Sequence, residues 1–262
     1  MDASLVFRKA YRQMHRAVQV HGVLGTVRLV AEKLRRYGKE LGAPASFDSP
    51  PVSNFDQMWN VQTDGNEDLS ELQVIDKTNY LLGTRYQPTS PEMFNEIIEA
   101  YPLPLQESIF IDCGAGKGRV LLLASELPFK RIIGVEFARD LTEIARANIQ
   151  GYRSLTQKCG QLQAICVDAT IFPFPVEPTI LYLYNPFAGE VMRKFIEHVE
   201  NTLKQHPRTF FVLYRNPKYA SLWDGSKYFN RVRATDKFVI YKGLREVKTN
   251  GVEGLPRDNR DN

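Results

Sequence analysis

Apolar positions along the chain follow two alternating rhythms. Five short runs rich in β-branched and aromatic residues, at 108–112, 131–136, 162–167, 178–184 and 209–215, read as strands. Between them, apolar residues recur at helical spacing over about 117–126, 139–150 and 189–205. Strand and helix taking turns in this way predict an α/β fold with a parallel sheet and right-handed crossovers. After Asn216-Pro217 the rhythm changes. Residues 228–233 and 236–242 read as two strands joined by the short turn Ala234-Thr235-Asp236, an antiparallel hairpin that ends the sheet. Ahead of the first strand, a helix is predicted over 90–101, with Met93, Ile97 and Ile98 on one side. Pro102 and Pro104 close it, and Thr89 or Ser90 is placed to cap its start.

The N-terminal part has a different pattern. Residues 4–20 carry Phe7, Ala10, Tyr11, Met14, Ala17 and Val18 at helical spacing, with Arg8, Lys9, Arg12 and Arg16 mostly opposite. His21-Gly22 interrupts this stripe, and Val23, Val27, Val30, Ala31 and Leu34 form a second one beside Arg28, Lys33, Arg35 and Arg36. Two basic amphipathic helices are therefore expected within 1–42, either packed as a cap or docked on an acidic partner or, through residues 4–37, on an anionic membrane. From 43 to 79 the chain is polar and proline-containing, and Phe55, Met58 and Trp59 mark it as an ordered strap lying against something. The α/β domain then occupies 80–245, and 246–262 reads as a mobile polar tail.

Composition narrows the classes. A chain of 262 residues can bury the core of one large α/β domain with extensions. Cys113, Cys159 and Cys166 show no Cys-x-x-Cys spacing, and His15, His21, His198 and His206 do not cluster with them, so neither a disulfide framework nor a metal site is implied. No apolar run approaches the ~20 residues that span a bilayer, and the expected setting is reducing and cytoplasmic. Residues 1–42 hold nine Lys or Arg against three Asp or Glu, leaving 25 against 27 of the chain's 34 and 30 for the remainder. The catalytic part thus lacks a basic excess, which argues against a nucleic-acid substrate.

Candidate chemistry concentrates at Phe110-Ile111-Asp112-Cys113-Gly114-Ala115-Gly116-Lys117-Gly118-Arg119, where an apolar strand meets three alternating glycines and then a helix. Such a turn is also an ordinary strand-to-helix connection, but glycine is needed where φ turns positive or a ligand approaches the main chain. The series Gly114, Gly116, Gly118 departs from the G-x-G-x-x-G spacing of a dinucleotide loop. Asp112, two residues before the first glycine, would repel a pyrophosphate but can accept hydrogen bonds from an ammonium group. An amino-acid-bearing nucleoside is therefore favoured. The second strand ends in Glu136, whose carboxylate can accept both ribose hydroxyls, and Phe137 beside it can cover one face of an adenine ring. The third strand ends in Asp168-Ala169 and the fourth in Asn185-Pro186-Phe187. Asp168 also suits a turn or helix cap before Thr170, and Asn-Pro also starts turns.

With these strand ends, Asp-x-Gly-x-Gly-x-Gly resembles the first motif of class I S-adenosyl-L-methionine-dependent methyltransferases. The resemblance covers residues 80–242, and implies a Rossmann-like seven-stranded, mainly parallel sheet whose last strand is inserted antiparallel, with an N-terminal helical extension added to it. It also implies that Asp112, Gly114, Ala115, Gly116, Gly118, Glu136, Phe137, Asp168, Ala169 and Asn185 hold S-adenosyl-L-methionine. Asp168 would accept the adenine amino group and the Ala169 amide would address the ring. Asn185-Pro186-Phe187 is similar to the Asn-Pro-Pro-Phe/Tyr motif of amino-methylating enzymes, but one proline short. Gly83-Thr84-Arg85-Tyr86-Gln87-Pro88-Thr89, with Phe55-Asp56 and Thr63-Asp64-Gly65, looks like the region before the glycine loop in bacterial class I enzymes of mostly unassigned substrate.

The expected activity is direct in-line methyl transfer, without a metal, to a nitrogen acceptor such as a protein lysine or a small amine. Asn185, Phe187 and Tyr86 would address the acceptor, and Tyr86 or Tyr184 would relay its proton through water. A small-molecule O-methyltransferase is the nearest alternative. An NAD(P)-linked oxidoreductase is favoured by Glu136 and the strand–loop–helix, but disfavoured by the glycine spacing and the terminal hairpin. A non-catalytic membrane or scaffold protein is the third reading.

Overall fold

A computed structural model of the chain describes residues 55–65 and 87–244. The two basic amphipathic helices, most of the strap, Tyr86 with the segment before it, and the C-terminal tail lie outside the described residues. In chain order the elements are α1 (Phe55–Trp59), α2 (Pro91–Glu99), β1 (Ile109–Cys113), α3 (Arg119–Ser125), β2 (Arg131–Glu136), α4 (Arg139–Gly151) and β3 (Leu162–Cys166). They continue with β4 (Thr179–Tyr184), α5 (Gly189–Gln205), β5 (Phe210–Arg215), α6 (Ala220–Asp224), β6 (Phe229–Ala234) and β7 (Phe238–Gly243).

All seven strands join one sheet in the order β3-β2-β1-β4-β5-β7-β6. The first five are parallel, and β7 runs antiparallel to both β5 and β6. The apolar runs are nearly continuous because helices cover both faces, so alternate residues of one strand enter different cores. Ile109, Ile111 and Cys113 of β1 face α5 through Met192, Phe195 and Val199. Phe110 of the same strand faces the other way, into a cluster with Phe94 and Ile97 of α2, Leu121 of α3 and Ala145 of α4. Each large side chain withdrawn from water in this way contributes roughly 1.5–3 kcal/mol.

Some boundaries move for identifiable reasons. Helix α3 starts at Arg119 rather than 117, because Gly118 has φ +84° and stands outside the helical region as its N-cap. Helix α2 begins at Pro91 with Ser90 as its cap, Ser90 Oγ accepting the Met93 amide at 3.3 Å. The terminal turn falls one residue later than expected. Thr235 Oγ1 accepts the amides of Lys237 and Phe238 at 3.2 and 3.1 Å and so fixes the reversal beyond Ala234. In the strap, Phe55 and Trp59 pack against Tyr152 and Leu122, whereas Met58 is 69% exposed and faces solvent. No helix among the described residues is long and apolar enough to cross a membrane.

Candidate functional site

The order of strands reverses between β1 and β4: β2 and β3 extend one way from β1, β4 and β5 the other. Ligands of open α/β sheets lie at such a reversal, outside the carboxyl ends of the strands. Asp112 of β1 and Tyr182 of β4 are register partners across this crevice. Above them the two strand exits touch. Gly114 has φ +86°, and a Cβ added there would lie 2.8 Å from Pro186 Cβ, so only glycine lets the loop after β1 pass the Asn185-Pro186 turn. Asn185 itself has φ +41°, a left-handed conformation that asparagine tolerates better than most residues.

The three glycines of the loop have separate surroundings. Gly116 has φ +54°, and its amide donates to Glu136 Oε2 at 2.9 Å. Gly118 faces α4, where an added Cβ would approach Ala145 Cβ to 3.1 Å. Ala115 is buried, with its methyl beside Gly134 of β2. The sequence groups all four loop positions as cofactor contacts, but Ala115 and Gly118 seat the loop on the protein. Gly114 is exposed beside Pro186, and Gly116 is buried with its amide on Glu136.

Two carboxylates sit under this loop. Asp112 is buried, and among the described residues no hydrogen-bond donor is seated on its side chain; burial, and then the negative charge of Glu136, push its pKa well above the usual carboxylate range. Burial also raises Glu136, opposed by the amides it accepts. Its Oε1 takes the Ala138 N–H at 2.9 Å while Oε2 takes that of Gly116. Glu136 therefore braces the glycine loop, and only its remaining lone pairs are open to ribose hydroxyls. Phe137 next to it is half-buried and joins neither large core cluster. Asp168 Oδ1 accepts both the amide and the hydroxyl of Thr170 at 2.8 Å, capping a short 3-10 turn that holds buried Ala169.

Beyond the end of β4, Asn185 is buried and its Oδ1 accepts the Tyr214 hydroxyl at 3.4 Å. Phe187 lays its ring 5.1 Å from that of Phe195, so part of its surface is committed to α5. Tyr184 is a poor proton acceptor: its hydroxyl donates to Gln87 Oε1 at 2.7 Å, and burial raises its pKa although Arg215 opposes the shift.

A polar latch that the sequence reading did not assemble binds the strap to this loop. Arg119, at the start of α3, donates through Nε to Thr63 Oγ1 at 2.6 Å and through Nη2 to Asp56 at 3.1 Å and to Asp64. Lys117 Nζ donates to the Asp64 carbonyl at 2.8 Å, and Asn148 of α4 accepts the Gln62 amide at 2.8 Å. The only sequence signal was the concurrence of Asp56 and Asp64 with the cations of Gly-Lys-Gly-Arg, without a spacing that joins them.

No protein-family model matches the chain, and no curated protein matches it. Its solved structural neighbours include an RNA methyltransferase from Salinibacter ruber in complex with S-adenosyl-L-homocysteine, at TM-score 0.42 and 16% identity over 67% of this chain and 100% of that one. The 23S rRNA methyltransferase ErmE is similar at TM-score 0.42 and 14% identity, over 62% and 72%. A predicted N6-adenine-specific DNA methylase from Listeria monocytogenes has TM-score 0.45 and 14% identity, over 60% and 51%. The chemistry of the site rests on the residues above.

Proposed function

We propose that this chain is an S-adenosyl-L-methionine-dependent methyltransferase that delivers the methyl group directly to a nitrogen acceptor. The observation that carries this reading is Asp112: a buried carboxylate at the sheet reversal, lacking a donor among the described residues, beneath a loop whose glycines open the main chain. A buried anion in this condition is stabilised by a cationic ligand group. The α-ammonium of an amino-acid-bearing nucleoside supplies one, whereas a dinucleotide pyrophosphate would add negative charge above Asp112 and Glu136.

The bound cofactor supplies an electrophilic methyl on a sulfonium, which becomes a neutral thioether when the carbon–sulfur bond breaks. Around it Asp112 holds the ammonium, Glu136 keeps the loop in place and accepts ribose hydroxyls, and Phe137 and the Asp168-Ala169 turn bound the adenine. Asn185 accepts a hydrogen bond from the acceptor nitrogen and so aims its lone pair, while Pro186 and Phe187 exclude water. The nitrogen's proton leaves to water, since Tyr184 is already hydrogen-bonded to Gln87.

Calorimetry tests the cofactor assignment. S-Adenosylhomocysteine is expected to bind and NAD not to; the reverse result removes the methyl-transfer reading. The binding also carries a pH signature. Asp112 is raised by burial and then by Glu136, so the unliganded fold retains a proton that an ammonium partner expels. Affinity for S-adenosylhomocysteine is therefore expected to rise with pH through the raised Asp112 pKa and then level off, with proton release visible as a buffer-dependent heat. Stability of the unliganded fold has the opposite sign. The unliganded fold binds more protons than the unfolded chain between about pH 4 and the raised pKa, so its stability falls as pH rises through that window.

The acceptor role of Asn185 has its own test. Asn185→Gly keeps the left-handed backbone and removes the amide. It is expected to leave S-adenosylhomocysteine affinity unchanged while slowing methyl transfer by about a hundredfold. An equal loss of both would make Asn185 a cofactor contact instead.

A further inference from the structure

Arg215 closes β5 in register with Tyr184 of β4. Its guanidinium carbon lies 3.8 Å from the centroid of the Tyr184 ring, and Nη1 donates to Thr89 Oγ1 at 3.0 Å. Thr89 Oγ1 in turn shares a hydrogen bond with the Tyr182 hydroxyl at 2.9 Å. The group is thus held flat and half-buried by an aromatic face and one neutral hydroxyl. A guanidinium has five donors in a fixed fork, and among the described residues only one is taken up. No carboxylate among the described residues pairs with Arg215, whereas other cations near this end of the sheet are matched: Lys237 with Glu96 at 3.1 Å, and Arg119 with Asp56 and Asp64.

Its position is on the acceptor side. Asp112, Tyr182, Tyr184 and Arg215 follow one another across β1, β4 and β5. Two strand spacings across the sheet and two residues along β5, about 12 Å in all, separate Arg215 from Asp112. Tyr182 and Tyr184 belong to the core on the α2–α4 face, and Arg215 stacks on Tyr184 at that face, so a molecule held over the exits of β4 and β5 there, beside a cofactor whose ammonium sits on Asp112, lies within reach of Arg215.

Resting on the methyl-transfer reading, we propose that Arg215 binds an oxyanion of the methyl acceptor, which is a small molecule carrying a carboxylate or a phosphate. An orientable planar fork, stacked and aimed before the ligand arrives, suits bidentate recognition of either group. A polynucleotide is the wrong scale for it. Tracking a phosphate backbone takes a run of cations, and outside residues 1–42 the chain has 25 Lys or Arg against 27 Asp or Glu.

The full chain saturated with S-adenosylhomocysteine is titrated with inorganic phosphate and, separately, with acetate, each followed by calorimetry. Wild type is expected to bind at least one of them at millimolar concentration, and the stronger names the oxyanion. Arg215→Gln is expected to weaken that binding at least tenfold and Arg215→Lys to weaken it less, with S-adenosylhomocysteine affinity and melting temperature close to wild type. Absence of binding by wild type, or equal binding by Arg215→Gln, overturns the proposal. Should S-adenosylhomocysteine itself fail to bind, the methyl-transfer reading fails; the same anion titrations of the unliganded chain then still report on Arg215 alone.

Discussion

Arg119→Ala is expected to lower the unfolding free energy by about 3 kcal/mol, near the lower end of what breaking a buried ion pair costs. For a domain of this size, that corresponds to a fall in melting temperature of about 6–12 °C. Two losses combine. The Arg119 side chain is 3% exposed and is the cation shared by Asp56 and Asp64, whose side chains are 16% and 35% exposed. Removing it leaves two shielded carboxylates facing each other across Thr63. It also strips the guanidinium from the Phe55 ring, which it covers at 5.0 Å. Because Asp64 keeps some contact with water, the cost stays below that of a wholly buried pair. Arg119→Lys restores charge but not the fork, and is expected to recover less than half of the loss. Thermal unfolding followed by circular dichroism measures both variants. A change below about 1 kcal/mol, the level of a surface pair, would mean that this latch does not hold the strap.

The latch also weakens in acid. Burial raises the Asp56 pKa, but hydrogen bonds from the Thr63 hydroxyl and from the amides of Asp64 and Thr63, together with Arg119, outweigh it and hold the carboxyl below its ordinary value. A depressed carboxylate stabilises the fold above its unfolded pKa, and that stability is lost as pH falls through the folded value. Asp112 and Glu136 have the opposite sign. The strap and the crevice therefore respond to pH in opposite directions, the first loosening in acid and the second resisting ionisation as the solution turns alkaline.

The sheet was legible because both of its faces are covered, so that each strand is a compact apolar run and each crossover helix carries a clear period. Its first five strands and the hairpin appear where Ile109, Ile133, Ala164, Leu181, Val212, Phe229 and Ile240 indicated them. Turn chemistry set the limits of accuracy: Gly118 and Thr235 each displaced an element end by one or two residues. Asp112, the glycine loop and Glu136 could be placed because a strand end is a position that a sequence reveals. What each group touches is a different matter. Glu136 turns back onto Gly116 and Ala138, and Gly118 meets Ala145, contacts that depend on how β2 and α4 lie beside the loop.

Arg215 and Arg119 were illegible for a related reason. A lone arginine after an apolar run looks like a solvated strand end until the sheet order puts β5 beside β4. A sign of that neighbourhood was nonetheless present. Tyr184-Asn185-Pro186 and Tyr214-Arg215-Asn216-Pro217 share a tyrosine and an Asn-Pro exit, and both asparagines adopt left-handed backbone, at φ +41° and +47°. Arg119 pairs with Asp56 across 63 residues, a separation that no local spacing can encode.

Gly116→Val is expected to abolish cofactor binding, with the affinity for S-adenosylhomocysteine falling at least about a hundredfold, or about 2.7 kcal/mol. Gly114 and Gly118 would be poorer probes, since added side chains there collide with Pro186 and Ala145 and test packing instead. Gly116 has φ +54° and donates to the Glu136 side chain through its main-chain amide. A valine must either occupy the left-handed region, at a cost of about 1–2 kcal/mol, or rotate the peptide and lose the bond to Glu136. In the first case a branched side chain must be fitted at a buried position of the loop; in the second the loop changes course over Asp112. Both outcomes remove the site, while the cores under the sheet keep the variant folded, with a melting temperature lowered by only a few degrees. Gly116→Ala separates strain from obstruction: it shares the backbone cost without the branch, so its affinity should fall between those of wild type and valine. Wild-type affinity in the valine variant would move the ligand away from this loop, and with it the role assigned to Asp112.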